Sequence, residues 1–207
     1  MSDAKITTLF LDIGGVLLTP GWDRPARARA SKFLRLDDAD FEERHHLASD
    51  LYEVGRFDLT TYLDRVVFHT RRHFEREEFR SFMFAQSFPH APVIALAREL
   101  KQRHALRVVA LSNEGRELAQ HRIQDFNLAA FTDFFVVSSF VHCRKPDAGI
   151  YPMALDIAQV TPEHVVYPED RKMFAEIAAG LGMHAIHPTH VDATRAALAE
   201  LGLAAGA

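Results

Sequence analysis

The sequence predicts a doubly wound α/β fold: a parallel sheet with a small helical unit inserted after its first strand. Three observations carry this. Short β-prone apolar runs such as LRVVAL, FFVV and HVVY alternate with amphipathic helical stretches from Pro92 onward, which is the pattern of strand–helix–strand crossovers. One further run, Thr7–Leu11, stands alone near the amino end. Between them lies a segment with helical spacing and no strand signal. The first strand therefore has to join the later ones, and the helical segment becomes an insert.

In chain order, Thr7–Leu11 is short, apolar from Leu9 and followed by Gly14-Gly15, so it reads as a buried strand ending in a sharp turn. Pro20, Gly21 and Pro25 punctuate its exit. Helices are expected over 26–36, 39–54, 59–70 and 76–86, with Asp38 and Asp58 as N-caps of the second and third. Leu59, Tyr62, Leu63, Val66 and Val67 form one helical stripe. Pro89 and Pro92 close the insert. Beyond it the spacing predicts helices over 93–104, 114–126, 147–160, 171–181 and 192–201. Strands are expected over 106–111, 134–137, 164–167 and 183–186. The domain division that follows is 1–17 with 89–207 as an α/β core and 18–88 as a helical cap.

Composition limits function. The 207 residues carry a net charge of −4 and an ordinary hydrophobic share of 48%, so nothing points to nucleic acid or an anionic membrane as partner. Cys143 is the single cysteine, which excludes an internal disulfide and a CxxC metal site. No apolar run approaches the ~20 residues of a membrane span. The amino end lacks the pattern of a signal peptide, and the cytoplasm is the expected address.

The informative residues sit at the carboxyl ends of the strands, where open α/β sheets bind ligands. The first strand ends in Asp12, the second in Ser112-Asn113, and the fourth in Glu169-Asp170, while Lys145-Pro146 follows the third. Each has a bland reading as a cap, a turn or a solvated loop charge. Together they form an ordered set at one sheet edge: a carboxylate, a hydroxyl with an amide, a cation and a pair of carboxylates suited to a hard divalent ion.

In that order the set resembles the haloacid dehalogenase-like hydrolase superfamily. LFLDIGGVLL looks like its first motif, VVALSN its second, RKPDAGIY its third and VVYPEDRKMFAEIAAGLGMHAI its fourth. The insert resembles the superfamily's small helical cap. The resemblance implies that Asp12 is the nucleophile, forming an aspartyl-phosphate. It implies that Ser112, with Asn113 beside it, and the backbone N–H groups of Gly14 and Gly15 hold the phosphoryl group. Lys145 would offset the charge on nucleophile and phosphate, and Asp12, the Gly14 carbonyl, Glu169 and Asp170 would hold Mg²⁺. The expected substrate is a small phosphorylated metabolite.

One departure is central. The superfamily pattern is Asp-x-Asp, the second carboxylate serving as general acid and base, and here that position is Gly14. This leaves three expectations: a Mg²⁺-dependent phosphatase, a phosphate- or protein-binding relative impaired in turnover, and a metal-independent haloacid dehalogenase, against which the retained Glu169 and Asp170 argue. Around the site, Trp22, Asp23 and Arg24 either face the substrate or pack the hinge, with packing favoured for Trp22. His45, His46, His69 and His73 lack a metal-ligand spacing, and solvated positions are expected for most of them. Cys143, beside Arg144, is expected to be an inert loop thiol rather than an activated one.

Overall fold

The computed structural model describes residues 4–187 and 190–205. Five parallel strands, β1 (Thr8–Leu11), β2 (Arg107–Ser112), β3 (Phe134–Val137), β4 (Val165–Pro168) and β5 (His184–Ile186), form one sheet in the order β3-β2-β1-β4-β5. β1 is central. Leu9 and Phe10, on opposite faces, are 1% and 0% exposed, because helices cover both sides and a doubly covered strand must be apolar at successive positions. Register is set by Leu9 against Val108 on one side and Val166 on the other. The chain runs outward from β1 through β2 to β3, then returns to the far side of β1 for β4. That reversal puts a crevice above the carboxyl ends of β1 and β4.

Helices α1 (Arg24–Leu34), α2 (Asp38–Glu53), α3 (Leu59–Val66) and α4 (Arg76–Phe84) occupy the segment between β1 and β2, and α5 (Ala91–His104) leads into β2. Tyr62, Phe79 and Met83 lie at the centre of an apolar cluster belonging to α1–α4, which Leu118 of α6 (Arg116–Asp125) also enters. Asp23 caps α1 by accepting from Ala26 N at 2.9 Å. Asp58 caps α3 as expected, accepting from Thr61 N at 2.7 Å. The cap of α2 is Asp37 rather than Asp38: its Oδ1 accepts from the N–H groups of both Ala39 and Asp40, and Asp38 is turned to Arg24 instead.

Several helices begin or end earlier or later than their periodicity suggests. α3 stops at Val66 because the N–H groups of Val67 and Phe68 both converge on Leu63 O. A one-turn helix, α7 (Ser138–Val141), follows β3 directly. The helix expected from Asp147 starts only at Ile150 (α8, Ile150–Ala158), since Asp147 accepts from Gly149 N at 2.8 Å and holds the preceding residues in turns. α9 (Lys172–Gly180) and α10 (Val191–Glu200) complete the layers. No helix among the described residues is long and apolar enough to cross a membrane.

α1–α4 are anchored onto the crevice through the end of α2. Ser138 Oγ donates to Glu53 O at 2.6 Å, His142 Nδ1 lies 2.8 Å from Val54 O, and Arg144 reaches both Asp50 and Glu53. Gly115 allows this approach: a Cβ there would stand 2.0 Å from the Tyr52 ring of α2.

Candidate active site

Asp12 follows β1 with 6% of its surface exposed. The next residues turn back at once: Leu18 N donates to Ile13 O at 2.8 Å and Gly15 N to Leu18 O at 2.7 Å. The Gly15 N–H, expected from the resemblance to cradle a phosphate, is therefore used to close the turn. Gly15 has φ +83°, and an added Cβ would fall 2.0 Å from Asp170 Oδ2. Gly15→Ala should cost about 1 kcal/mol or more from left-handed strain alone and push Asp170 from its place. A lowered melting temperature and a smaller Mg²⁺-dependent melting shift are expected. Wild-type values for both would mean the turn yields freely.

Lys145 is the hub of the site. It is 0% exposed. Its three N–H groups are shared among four acceptors, Asp12 Oδ2 at 2.9 Å, Glu169 Oε2 at 2.6 Å, Tyr167 OH at 3.0 Å and Leu111 O at 3.1 Å. Burial works against the ammonium charge, but Asp12 and Glu169 outweigh it and the net shift of its pKa is upward. For Asp12, burial raises the pKa, with the Lys145 charge opposing and Glu169 adding to the rise. Asn113 fixes Lys145 through the main chain: its Nδ2 donates to Lys145 O at 2.7 Å and its Oδ1 accepts from Lys145 N at 2.9 Å. Asn113, expected beside the phosphate, thus uses one amide N–H and its carbonyl oxygen to hold the lysine loop. An amide is the group that can accept from one backbone N–H and donate to the carbonyl of the same residue.

Asp12, Glu169 and Asp170 each bring a carboxylate oxygen within 4.8 Å of the others. Their roles differ. Glu169 is the most engaged: Oε2 takes Lys145 and the Tyr167 hydroxyl, and Oε1 accepts from Arg171 N at 3.0 Å. Asp12 Oδ1 and Asp170 Oδ1 are buried with no hydrogen-bond partner. Unpartnered hard oxygens in carboxylates this close together fit a divalent cation such as Mg²⁺, with Glu169 holding the neighbouring lysine.

Tyr167, Glu114 and Arg122 were not singled out from the sequence. Tyr167 had one available signal, its place two residues before Glu169 on a buried strand end, which gives both side chains the same face. Ser112 is 1% exposed, and its Oγ lies 3.4 Å from Glu114 Oε1. Glu114 pairs with Arg122, which also donates to Thr19 O.

Over this edge lies a cavity of about 320 Å³ lined by residues from both layers, among them Trp22, Arg27, Tyr52, Tyr62, Arg144 and Arg171. Trp22 Nε1 donates to Tyr62 OH at 3.0 Å and its ring packs edge-on against Phe41 and Phe79, so its packing role holds although it lines the cavity. Arg24 is paired with Asp38 and Glu42. His45 is half-buried rather than fully solvated: Nδ1 lies 2.7 Å from Tyr62 OH, and burial with the Arg27 charge lowers its pKa to about 3. Burial and Asp147 push the Cys143 thiol up rather than down, which makes it a poor nucleophile. A larger cleft of about 490 Å³ lies between α5 and α10, with Gly15 and Pro168 in its lining; Asp12, Glu169 and Asp170 line neither cavity.

With this geometry the comparisons with known proteins agree. Residues 6–182 match the model of the haloacid dehalogenase-like hydrolase family. A phosphorylated carbohydrates phosphatase of Thermotoga maritima is 27% identical over 120 residues, 58% of this chain and 54% of that protein, so the chain spans about half the length of this curated relative. The crystal structure of a HAD family enzyme from Bacteroides thetaiotaomicron superposes with a TM-score of 0.76 at 18% identity, covering 90% of this chain and 95% of that one. The same enzyme in complex with magnesium and inorganic phosphate gives 0.72 at 19% identity, covering 89% and 94%. A predicted HAD-like hydrolase from Porphyromonas gingivalis gives 0.71 at 20% identity, covering 89% and 92%. The chain belongs to the haloacid dehalogenase-like hydrolase family.

Proposed function

We propose that the protein is a Mg²⁺-dependent phosphomonoesterase of a small phosphorylated metabolite, acting through an aspartyl-phosphate on Asp12. The observation that carries this reading is the group of buried Asp12, Lys145 and Glu169 with half-buried Asp170, in which two carboxylate oxygens are left unpartnered. The Thermotoga maritima relative's name and the magnesium and phosphate complex of the fold neighbour support it. Asp12 and Asp170, with the Gly14 carbonyl and Glu169 beside them, would hold Mg²⁺, which when bound offsets charge on the phosphoryl oxygens. Asp12 attacks phosphorus with the carboxylate oxygen that Lys145 aligns. Ser112 hydrogen-bonds the transferring group. Residues 18–88, as a cap over a core of 1–17 and 89–207, exclude water and leave the 320 Å³ cavity for the rest of a small substrate. A cluster of three carboxylates is not what a metal-independent dehalogenase needs, whereas the missing side chain at Gly14 favours, as second reading, a relative that binds phosphate without turnover.

A panel of alkyl and aryl phosphates, assayed with Mg²⁺ and with EDTA, tests this. Turnover that EDTA abolishes is expected. So is a rise in melting temperature with Mg²⁺ through mass action, lost in Asp170→Ala. Turnover indifferent to EDTA, or none on any ester, would overturn the reading.

A further inference from the structure

Hydrolysis through Asp12 needs a proton for the departing alkoxide and a base for the water that follows, and Gly14 carries no side chain to supply either. The structure shows what stands at that place. Gly14 is not among the positive-φ residues, and a Cβ added there would lie 3.5 Å from Arg122 Nη1 and 3.5 Å from Pro20 O. Arg122 comes from α6 and is 0% exposed. Its guanidinium is shared between the Glu114 carboxylate and Thr19 O.

Glu114 stands between β2 and α6, two residues past Ser112, and is 5% exposed. Its own N–H is fixed by Ser138 Oγ at 3.0 Å. Oε1 faces Arg122 and Ser112 Oγ. Oε2 is buried, has no partner, and belongs to a residue lining the 320 Å³ cavity. A buried carboxylate oxygen with nothing to accept from calls for an explanation, and a substrate or water in the cavity supplies one.

Several other titratable groups beside the site are already engaged. Lys145 is held charged by two carboxylates. Both oxygens of Glu169 are occupied, and the Tyr167 hydroxyl already donates to Glu169. Asp23 caps α1 and Glu53 pairs with Arg144.

We propose that Glu114 is the general acid and base of this site, positioned by Arg122 across the gap that Gly14 leaves. Burial, opposed by Arg122 and reinforced by the Asp12 charge, pushes its carboxyl up to about 7, a range suited to giving and taking a proton at neutral pH. In the first half-reaction a carboxylate oxygen of Asp12 bonds to phosphorus and the bond from phosphorus to the ester oxygen breaks. Protonated Glu114 gives its proton to that oxygen, and the alcohol leaves. In the second, Glu114 takes a proton from water as the water oxygen bonds to phosphorus. The bond from phosphorus to Asp12 breaks, returning the Asp12 carboxylate, inorganic phosphate and protonated Glu114.

The proposal rests on the phosphatase reading, and its test separates the two. Glu114→Gln keeps an oxygen for Arg122 but cannot donate or take the proton. With the Mg²⁺-loaded protein, kcat on an alkyl phosphate should fall about 10²-fold or more. On a nitrophenyl phosphate, whose leaving group needs no proton, formation of the phospho-enzyme, read as the burst in a single turnover, should change less than about tenfold. Gly14→Asp introduced into Glu114→Gln should recover alkyl phosphate turnover, since it puts a carboxyl beside Arg122. Melting temperatures are measured alongside. A folded Glu114→Gln that keeps alkyl turnover overturns the proposal. So does one that loses alkyl turnover and the aryl burst equally without recovery by Gly14→Asp, which would make the pair structural. If Glu114→Gln does not fold, Glu114→Asp decides: withdrawing the carboxyl by one methylene should lower kcat on the alkyl phosphate by more than it lowers the aryl burst, and unchanged alkyl turnover overturns the proposal. A wild-type protein inactive on every ester would instead remove the phosphatase reading and this proposal with it.

Discussion

Replacing Lys145 with Met should destabilise the protein by about 3–5 kcal/mol, the range for removing one partner of a buried ion pair. The ammonium is fully buried, with four acceptors within 3.1 Å of its nitrogen for its three N–H groups. Without it Asp12, Glu169 and Asp170 face one another with no cation among the described residues between them, and the Leu111 carbonyl loses its partner. Met fills comparable volume, so the loss reports charge and hydrogen bonding rather than a cavity. Denaturant unfolding measures it. The double variant Lys145→Met with Glu169→Gln should recover part of the loss, since it removes the charge left unpaired, and the single-variant costs would then not add. A Lys145→Met protein within about 1 kcal/mol of wild type would mean that the carboxylates are already neutral without their lysine.

Asp12→Asn should abolish turnover and leave the fold as stable as before, or more so. An amide cannot form the acyl-phosphate. Its oxygen can still accept from Lys145 where Oδ2 does now. In metal-free protein the change reduces three clustered carboxylates facing one ammonium to two, which relieves like-charge repulsion in a desolvated place. The expected result is no detectable phosphate release together with an unchanged or raised melting temperature in EDTA and a smaller shift with Mg²⁺. Retained turnover within tenfold of wild type would place the nucleophile on another residue. A large loss of stability would mean that the Asp12 charge, rather than its shape, holds Lys145.

Much of the sheet edge was legible in the chain because parallel strands announce themselves. A strand covered on both faces is apolar at successive positions, as in TLFL and RVVALS, so the polar residue that ends the run stands out. Asp12, Ser112, Glu169 and Asp170 were found in this way, and the order of the strands' motifs supplied Lys145. Local chemistry also marked Asp58 as a cap, because an Asp before a helical stripe acts within one turn.

The remaining features depend on partners distant in the chain. Glu114 and Arg122 read as ordinary helix charges, and it is the Thr19 carbonyl, 103 residues from Arg122, together with α2 against Gly115, that buries them. Asn113 reads as a residue beside the phosphate, and only the fold shows that its amide also holds Lys145, 32 residues on. His45 reads as a surface histidine on a polar helix, and only the packing of Tyr62 against it takes it partly out of water. The sequence by itself determined which residues stand at the strand ends, because hydrophobic periodicity is a local property of the chain. The tertiary structure decided which carboxylate oxygens are satisfied and which are free, because burial and pairing are made by residues that meet only when the layers close.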